Sequence, residues 1–487
     1  MARRRRSLIA TVLSMVLVAA GCSSQSAIDA DPLATTRDTD TPTTSVPLID
    51  GPPASIDLAS VPRGEVVDFG PAPAVPEGPL ASEIEAAITQ LFSERLTGIF
   101  LGDEFAAIDT LGASGDPRVG WLLSDLMRVT QDPGMAQRIA NASTELIGVE
   151  VSAFSGWPTL TNRLIAWDIP APPNYLESKA NIYTSIVPEW EALFDAEATA
   201  IDWRYVSWGG VRIDDRPFDE TDALCNCIPA ADNPQVESAS DADWLDDDAV
   251  IFGVVINGEA RAYPRRIMEV REMVNDTLGG RDFAMPYCTL CGSAQVWFTD
   301  NLPDGVDRPV LRTSGLLSRS NKVMYDLNTF SIFDTFLGTA TTGPLAQQGV
   351  ELDGHTVVTS TWSEWVADHP NTTVLIEDLA LGRDFDFRNG RDADGPIFPI
   401  GDVDPRLPVQ EDVLGVVTQD GTPLAVHVAS AVDALARGEV IEIDDVRIVA
   451  SGDGIRAIDL EGNEIAGHQA FWFAWSQFYE DTELWPG

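Results

Sequence analysis

The pattern of apolar and turn residues changes once along the chain, near Ile201, and that change sets the fold class. Before it, helix signals dominate. Ser82 and Glu85 have the spacing of a capping box, and Ile84, Ile88, Leu91 and Phe92 follow on one helical face. Asp116-Pro117 and Asp132-Pro133 each place a good N-cap before a proline at the first helical position. Leu122, Leu123, Leu126 and Val129 line the first of these helices, and Ile139 and Leu146 fit the second. Short helices with such starts predict a helical, helical-repeat-like domain over residues 81–200. Beyond Ile201, β-branched residues, tryptophans and turn signals take over. Val250 to Val255 leads into Asn257-Gly258, a strong hairpin turn, and Ala260 to Tyr263 returns until Pro264 stops it. Phe252-Gly253-Val254-Val255 is echoed by Leu414-Gly415-Val416-Val417, with Asp420-Gly421 as turn and Leu424 to Val428 as return strand. The expectation is an α+β protein: a helical N-terminal domain, then a mostly β domain over 201–487 with a duplicated hairpin unit.

The N-terminus fixes where this chain folds. Arg3 to Arg6 form a basic stretch, Leu8 to Ala20 is an apolar or small-residue run, and Ala19-Ala20-Gly21 precedes Cys22. The run is too short to cross about 30 Å of hydrocarbon as a helix. Basic, apolar, then small is the order of a signal peptide, here residues 1–21. The cysteine directly after it resembles the lipobox of bacterial lipoproteins. That resemblance implies acylation of Cys22, with palmitate among the acyl chains, and a lipid-anchored protein on the extracytoplasmic face of the cell membrane. Residues 22–80 are rich in Thr, Ser, Asp and Pro and read as a disordered tether. As a flexible coil it would reach about 40 Å.

Charge narrows the partners. The net charge is −45, and only two of the 31 basic residues are lysines, Lys179 and Lys322. Phosphate backbones need a basic surface, so nucleic acid is excluded as an expected partner. Anionic lipid headgroups are disfavoured for the same reason, which leaves the acyl chains as the membrane attachment. The sequence does not specify a protein or small-molecule partner.

The chemistry-bearing residues are cysteines. Besides Cys22 there are Cys225 and Cys227 in a C-x-C, and Cys288 and Cys291 in a C-x-x-C followed by Gly292. Gln295 to Phe298 reads as strand, so the helix that stabilises a thiolate in thioredoxin-like sites is not expected here. Strand, C-x-x-C-G, strand suggests a knuckle, in which the glycine permits a tight turn. Three chemistries fit these spacings. The pairs could be structural disulfides, or Cys288 and Cys291 could be a redox dithiol. Alternatively Cys288, Cys291, Cys225 and Cys227 could hold a thiolate-bound ion such as zinc or copper. His355, His369, His427 and His468 form no metal-binding spacing, and no nucleophile elbow, P-loop or dinucleotide fingerprint occurs. Arg261, Tyr263, Asn275 and Asp276 flank the cysteine segment and read as satisfied structural polar groups.

Residues 248–375 resemble the bacterial and archaeal family called domain of unknown function 3179. The resemblance is carried in order by Asn257 to Pro264, Val274 to Thr277, Tyr287 to Ala294, Ser314 to Leu317, Met324 to Asp326, Gly343 to Leu345, Thr361 to Trp365 and His369 to Leu375. Phe471 to Trp475 resembles the family's C-terminal end. Some relatives are described as possible selenoproteins, so the resemblance implies redox chemistry at Cys288 or Cys291. Members often carry Trp-His-Glu where this chain has Val270-Arg271-Glu272. Two functions from different classes stand: thiol redox or metal handling through the knuckle, or a non-catalytic binding or scaffold module with structural disulfides. No enzyme class follows from the residues.

Overall fold

The computed structural model describes residue 48 and residues 50–486, except 97–101, 195–199, 221–224 and 378–394. The expected signal peptide, Cys22 and the expected tether up to Pro47, together with Ile49, lie outside the described residues. The protein is α+β, helical in its N-terminal part and mostly β-sheet afterwards.

The helices start where local chemistry starts them. The Asp132 carboxylate accepts the Met135 N–H at 2.7 Å and opens the helix Pro133–Ile147. Asp116 accepts the Arg118 N–H at 3.1 Å and opens a 3-10 turn that runs into the helix Gly120–Val129. The Ser82 box does not form. That helix begins at Ser82 itself, behind Ala81 and without a side-chain cap, although Ile84, Ile88, Leu91 and Phe92 are buried. Inside the helical layer, Lys179 is wholly buried and donates to Asp125 at 2.6 Å, while Tyr175 and Tyr183 donate to the same carboxylate at 2.7 and 3.0 Å.

Helices and strands share one core. Leu122, Leu126, Ile139 and Trp190 cluster with Val206, Leu316, Val323, Tyr325 and Ile332. The last five lie in or beside the sheet built from Val206–Trp208, Leu311–Ser318, Asn321–Asp326 and Ile332–Asp334. The change near residue 200 is therefore a change of secondary structure, not a gap between two cores. The composition of residues 50–80 suggested a tether, yet this stretch is laid on the body. Val440 N–H donates to Pro52 O at 2.8 Å, Val61 is buried beside Leu407 and Trp472, and the Trp167 indole donates to Gly70 O at 2.9 Å. A strand edge and an apolar gap supply partners that composition does not reveal.

Five sheets make up the β part, arranged as a five-bladed propeller. Two of them have the same connectivity. In the first, Val250–Ile256 pairs antiparallel with Glu259–Pro264, turning at Asn257 and Gly258, both at positive φ. Val358–Thr361 returns antiparallel beside Val250–Ile256, a short helix Trp362–Asp368 follows, and Thr373–Leu375 lies parallel to Glu259–Pro264. In the other sheet, Asp412–Val417 and Pro423–His427 form the hairpin and Gly467–Phe471 returns. The helix Trp472–Phe478 follows, and Glu483–Trp485 adds in parallel. Each short helix sets a tryptophan over a hairpin glycine. The Trp365 indole donates to Thr372 at 3.0 Å and the Trp475 indole to Thr482 at 2.8 Å.

These glycines are required by close approach. A Cβ on Gly415 would meet Trp475 ring carbons at 2.1 Å, and one on Gly253 would meet Trp365 at 2.3 Å. Gly415→Ala should cost about 1–3 kcal/mol through overpacking, read as a lowered midpoint of thermal unfolding, and Gly253→Ala should do the same. An unchanged midpoint in both would show that the tryptophans can move aside.

Candidate functional site

The strand Arg281–Cys288 pairs along its length with Met273–Leu278 and ends against the two-residue strand Ser293–Ala294, where Cys288 faces Ser293. The chain between them is a tight turn. The Cys291 N–H donates to the Cys288 carbonyl at 3.2 Å, and Gly292 follows at φ +62°. Glycine suits that left-handed backbone, and a Cβ there would come within 3.1 Å of the Phe471 ring. The Phe471 N–H then donates to the Cys291 carbonyl at 2.8 Å, which seats the turn on the second of the two like sheets. No helix follows the motif; the next elements are strands.

Both thiols are free and buried, with Sγ atoms 3.0 Å apart. The Ser320 carbonyl lies 3.7 Å from the Cys288 sulfur and 3.5 Å from the Cys291 sulfur, and Asn321 Oδ1 lies 3.6 Å from Cys291. Ser320 sits in the left-handed region at the hairpin that joins Leu311–Ser318 to Asn321–Asp326. Behind the turn Lys322 is buried. Its ammonium pairs with the Glu272 carboxylate at 2.8 Å and donates to the Tyr287 carbonyl at 2.7 Å and to the Glu272 carbonyl. Thr289 also donates to Glu272, at 3.2 Å.

The two thiols are not equivalent. Burial pushes the Cys288 thiol up, and the Glu272 charge adds to that. A hydrogen bond from Cys291, the Lys322 charge and the Lys322 backbone N–H outweigh both and hold Cys288 below the usual thiol range. Burial and the neighbouring Cys288 push Cys291 well above it. Of the two, Cys288 is the sulfur that gives up its proton first, the order that an exchange-competent dithiol needs.

The other cysteines lie elsewhere. Cys225 is disulfide-bonded to Cys227. Asp214 is near both sulfurs, with the ligand atoms of the three within 4.8 Å of one another, but its carboxylate is wholly buried and held by Arg216 at 2.6 and 2.7 Å. The structure therefore does not assemble Cys225, Cys227, Cys288 and Cys291 around one point. Among the described residues no histidine or carboxylate joins Cys288 and Cys291 in a three-residue grouping close enough to share an ion.

The remaining sequence candidates form a network of their own. Arg261 and Tyr263 both donate to Asp276 Oδ2, at 2.6 and 2.7 Å, beneath an open cleft of about 400 Å³ that Glu259, Asp368, His369 and Asn371 help to line. Asn275 donates to Asp232 at 2.9 Å. Of the histidines, His355 meets the Val255 carbonyl at 2.8 Å, His427 lies between Ser430 and Glu411, and His369 packs on the Trp365 ring. His468 is buried, which drives its pKa down to about 4. Arg271 is buried and paired with Glu377 at 2.8 Å. Its neighbour Glu272 is the residue that faces the thiol turn.

The family model described as protein of unknown function (DUF3179) matches residues 225–462. The resemblance to that family read from the sequence is borne out over these residues. The DUF3179 segment begins at Cys225, holds both cysteine pairs and the whole first sheet unit, and ends before Phe471, while the N-terminal helices lie outside it. No curated protein and no solved structure matches the chain.

Sequence reasoning missed Lys322, Glu272, Ser320 and Asn321. One signal for Lys322 was present: the chain has two lysines, and both are buried beside a carboxylate. Lys322→Met should remove the cation that favours the Cys288 thiolate and leave Glu272 to oppose it. The expected outcome is a higher Cys288 pKa in a pH titration of thiolate absorbance. Breaking the buried pair should also cost about 3–5 kcal/mol of stability. A Cys288 titration unmoved in a folded Lys322→Met chain would remove the ammonium from the account of the thiol.

Proposed function

We propose that this chain is a lipoprotein, anchored by an acylated Cys22 to the extracytoplasmic face of the cell membrane, whose Cys288–Cys291 pair is a two-electron thiol–disulfide couple. The observation that carries the couple is the pair of free, buried sulfurs 3.0 Å apart, beside which Cys288 is held below the usual thiol range and Cys291 is pushed above it. In the oxidising step a disulfide-bearing partner accepts the Cys288 thiolate, a mixed disulfide forms, and the partner's other sulfur leaves and takes a proton. Cys291 loses its proton, attacks the Cys288 sulfur and releases the partner's second thiol. Two electrons have then passed to the partner. Both sulfurs are buried, so the turn must open for each exchange, which suits a redox sensor or reservoir better than a fast catalyst.

A second reading is metal binding. Ser320 O and Asn321 Oδ1 stand 3.5–3.7 Å from the sulfurs, and the Ser293 and Ser320 hydroxyls are buried without a hydrogen-bond partner among the described residues. A tetrahedral zinc site with two sulfurs and two oxygens has S···O edges of about 3.5 Å, which agrees, but S···S edges of about 3.8 Å. The sulfurs here stand 3.0 Å apart, closer to bonding each other than to sharing an ion. Redox is the better reading.

We also propose that the two like sheets are copies of one unit, the finer form of the hairpin repeat in the sequence. Their shared strand order, the tryptophan over a hairpin glycine and the tryptophan-to-threonine bond support this.

Equilibrating the purified chain in graded dithiol buffers, alkylating and weighing it should give one two-electron transition at Cys288–Cys291, between about −180 and −300 mV. Stoichiometric zinc or copper that blocks alkylation until it is chelated would transfer the site to the metal reading. For the anchor, Cys22→Ser should move the protein from membrane to soluble fractions and abolish palmitate labelling. Membrane retention without label would sink the lipoprotein assignment.

A further inference from the structure

The Cys225–Cys227 disulfide plays no part in the reading above, and its construction is unlike that of a staple. Its two cysteines are separated by a single residue. The entropy a disulfide removes from the unfolded chain grows with the loop it closes, and a ring this small removes very little. The loop also has other fastenings, from Asn226 onward. The Arg212 N–H donates to the Asn226 carbonyl at 2.9 Å, and Arg212 bridges to Cys227 in ladder geometry. Further on, Thr313 donates to the Ile228 carbonyl at 2.7 Å, the Ala230 N–H donates to Asp214 at 2.8 Å, and Arg216 donates to the Ala230 carbonyl at 3.1 Å. The backbone keeps these bonds whether or not the sulfurs are joined.

Exposure makes the bond directional. Cys225 is partly exposed and Asn226 is exposed, whereas Cys227 is buried. Neither cysteine belongs to a hydrophobic core cluster, in contrast to Cys288 and Cys291. Cys225 is therefore the end of the bond nearer solvent, and Cys227 the inner one, the leaving group for attack from outside.

We infer that Cys225–Cys227 is a second thiol-exchange site, which accepts two electrons at the protein surface from an external dithiol. A thiolate of the dithiol attacks the Cys225 sulfur, the Cys225–Cys227 bond breaks, and Cys227 leaves with the electron pair and takes a proton. The dithiol's second thiol loses its proton, attacks the mixed disulfide and releases Cys225, which is protonated in turn. The dithiol ends as a disulfide and the chain carries two thiols. This inference stands apart from the Cys288–Cys291 couple, so either can fail alone.

The test uses the whole folded chain. It is treated with dithiothreitol or with reduced glutathione under native conditions, quenched at intervals with a maleimide, and mapped by peptide mass so that each labelled cysteine is assigned without any variant. The expected result is labelling of Cys225 and Cys227 long before global unfolding, faster with the dithiol than with the monothiol. The thermal midpoint should fall by no more than a few degrees, and the bond should re-form when a disulfide is added. Resistance to millimolar dithiothreitol until the chain unfolds would overturn the inference. So would reduction that collapses the thermal midpoint, because the bond would then be a staple. Repeating the labelling in Cys288→Ser separates the two sites: loss of exchange at Cys225 in that folded variant would make it an appendage of the other couple and overturn its independence.

Discussion

The Lys322 ammonium is buried where three strands meet, and the thiol turn is built around it. It binds the Glu272 carboxylate, and it donates to the backbone carbonyls of Glu272 and Tyr287, the residue just before Cys288. An ammonium in a low-dielectric interior is tolerable only with such a full set of acceptors. Those acceptors fix the end of the strand Arg281–Cys288 and the left-handed residue Glu272 at the start of its neighbour. The next strand contributes the Ser320 carbonyl and Asn321 amide that face the sulfurs. One cation therefore sets the shape of the site and offsets part of the Glu272 charge at Cys288, where the Cys291 hydrogen bond is the larger lowering influence.

The two like sheets serve as an internal comparison. In one, the backbone N–H of Phe471, at the end of the returning strand, is taken by the carbonyl of Cys291. The matching strand end in the other is Thr361, whose N–H is taken by the Asp453 carboxylate at 2.7 Å, from the turn between Val446–Ser451 and Gly454–Asp459. Each sheet thus has its strand end capped by a turn from outside it. An ordinary Asp-Gly turn does this in one place. The other uses a buried dithiol, an ion pair and two seryl hydroxyls without partners among the described residues, which is far more than capping requires. That surplus is the structural difference between the two caps.

Much of this architecture was legible because it rests on local rules. Asp132-Pro133 opens a helix through a carboxylate three residues from its N–H donor, and Asn257-Gly258 adopts the positive φ pair that a two-residue hairpin needs. Cys288 and Cys291 announced a knuckle through spacing and Gly292. What escaped depends on distant partners. Nothing local to Pro52 says that Val440 will pair with it, and the composition around it argues for disorder. The shared core of helices and sheet escaped for a similar reason: strand patterns show that one face is buried but not what covers it. The four-thiolate centre looked plausible from number and spacing, yet the fold ties Cys227 beside Arg212 and places Cys288 against Ser320. Lys322 was seen only as a charge count, when its scarcity was the signal.

Burial also governs what a change at the dithiol could do. Joining the sulfurs would shorten their separation from 3.0 Å to a bond of about 2.05 Å. Protein interiors are close-packed, so a shift of that size is not absorbed by one side chain. The backbone of the turn carries the Phe471 bond on one side and the Lys322 set on the other, with Gly292 pressed against an aromatic ring. A disulfide there would load the contact through which the cysteine turn holds the second sheet, whereas the partly exposed Cys225–Cys227 ring could open with its backbone bonds intact. The two pairs thus differ by position: Cys288 and Cys291 sit within the core, and Cys225 lies nearer the surface.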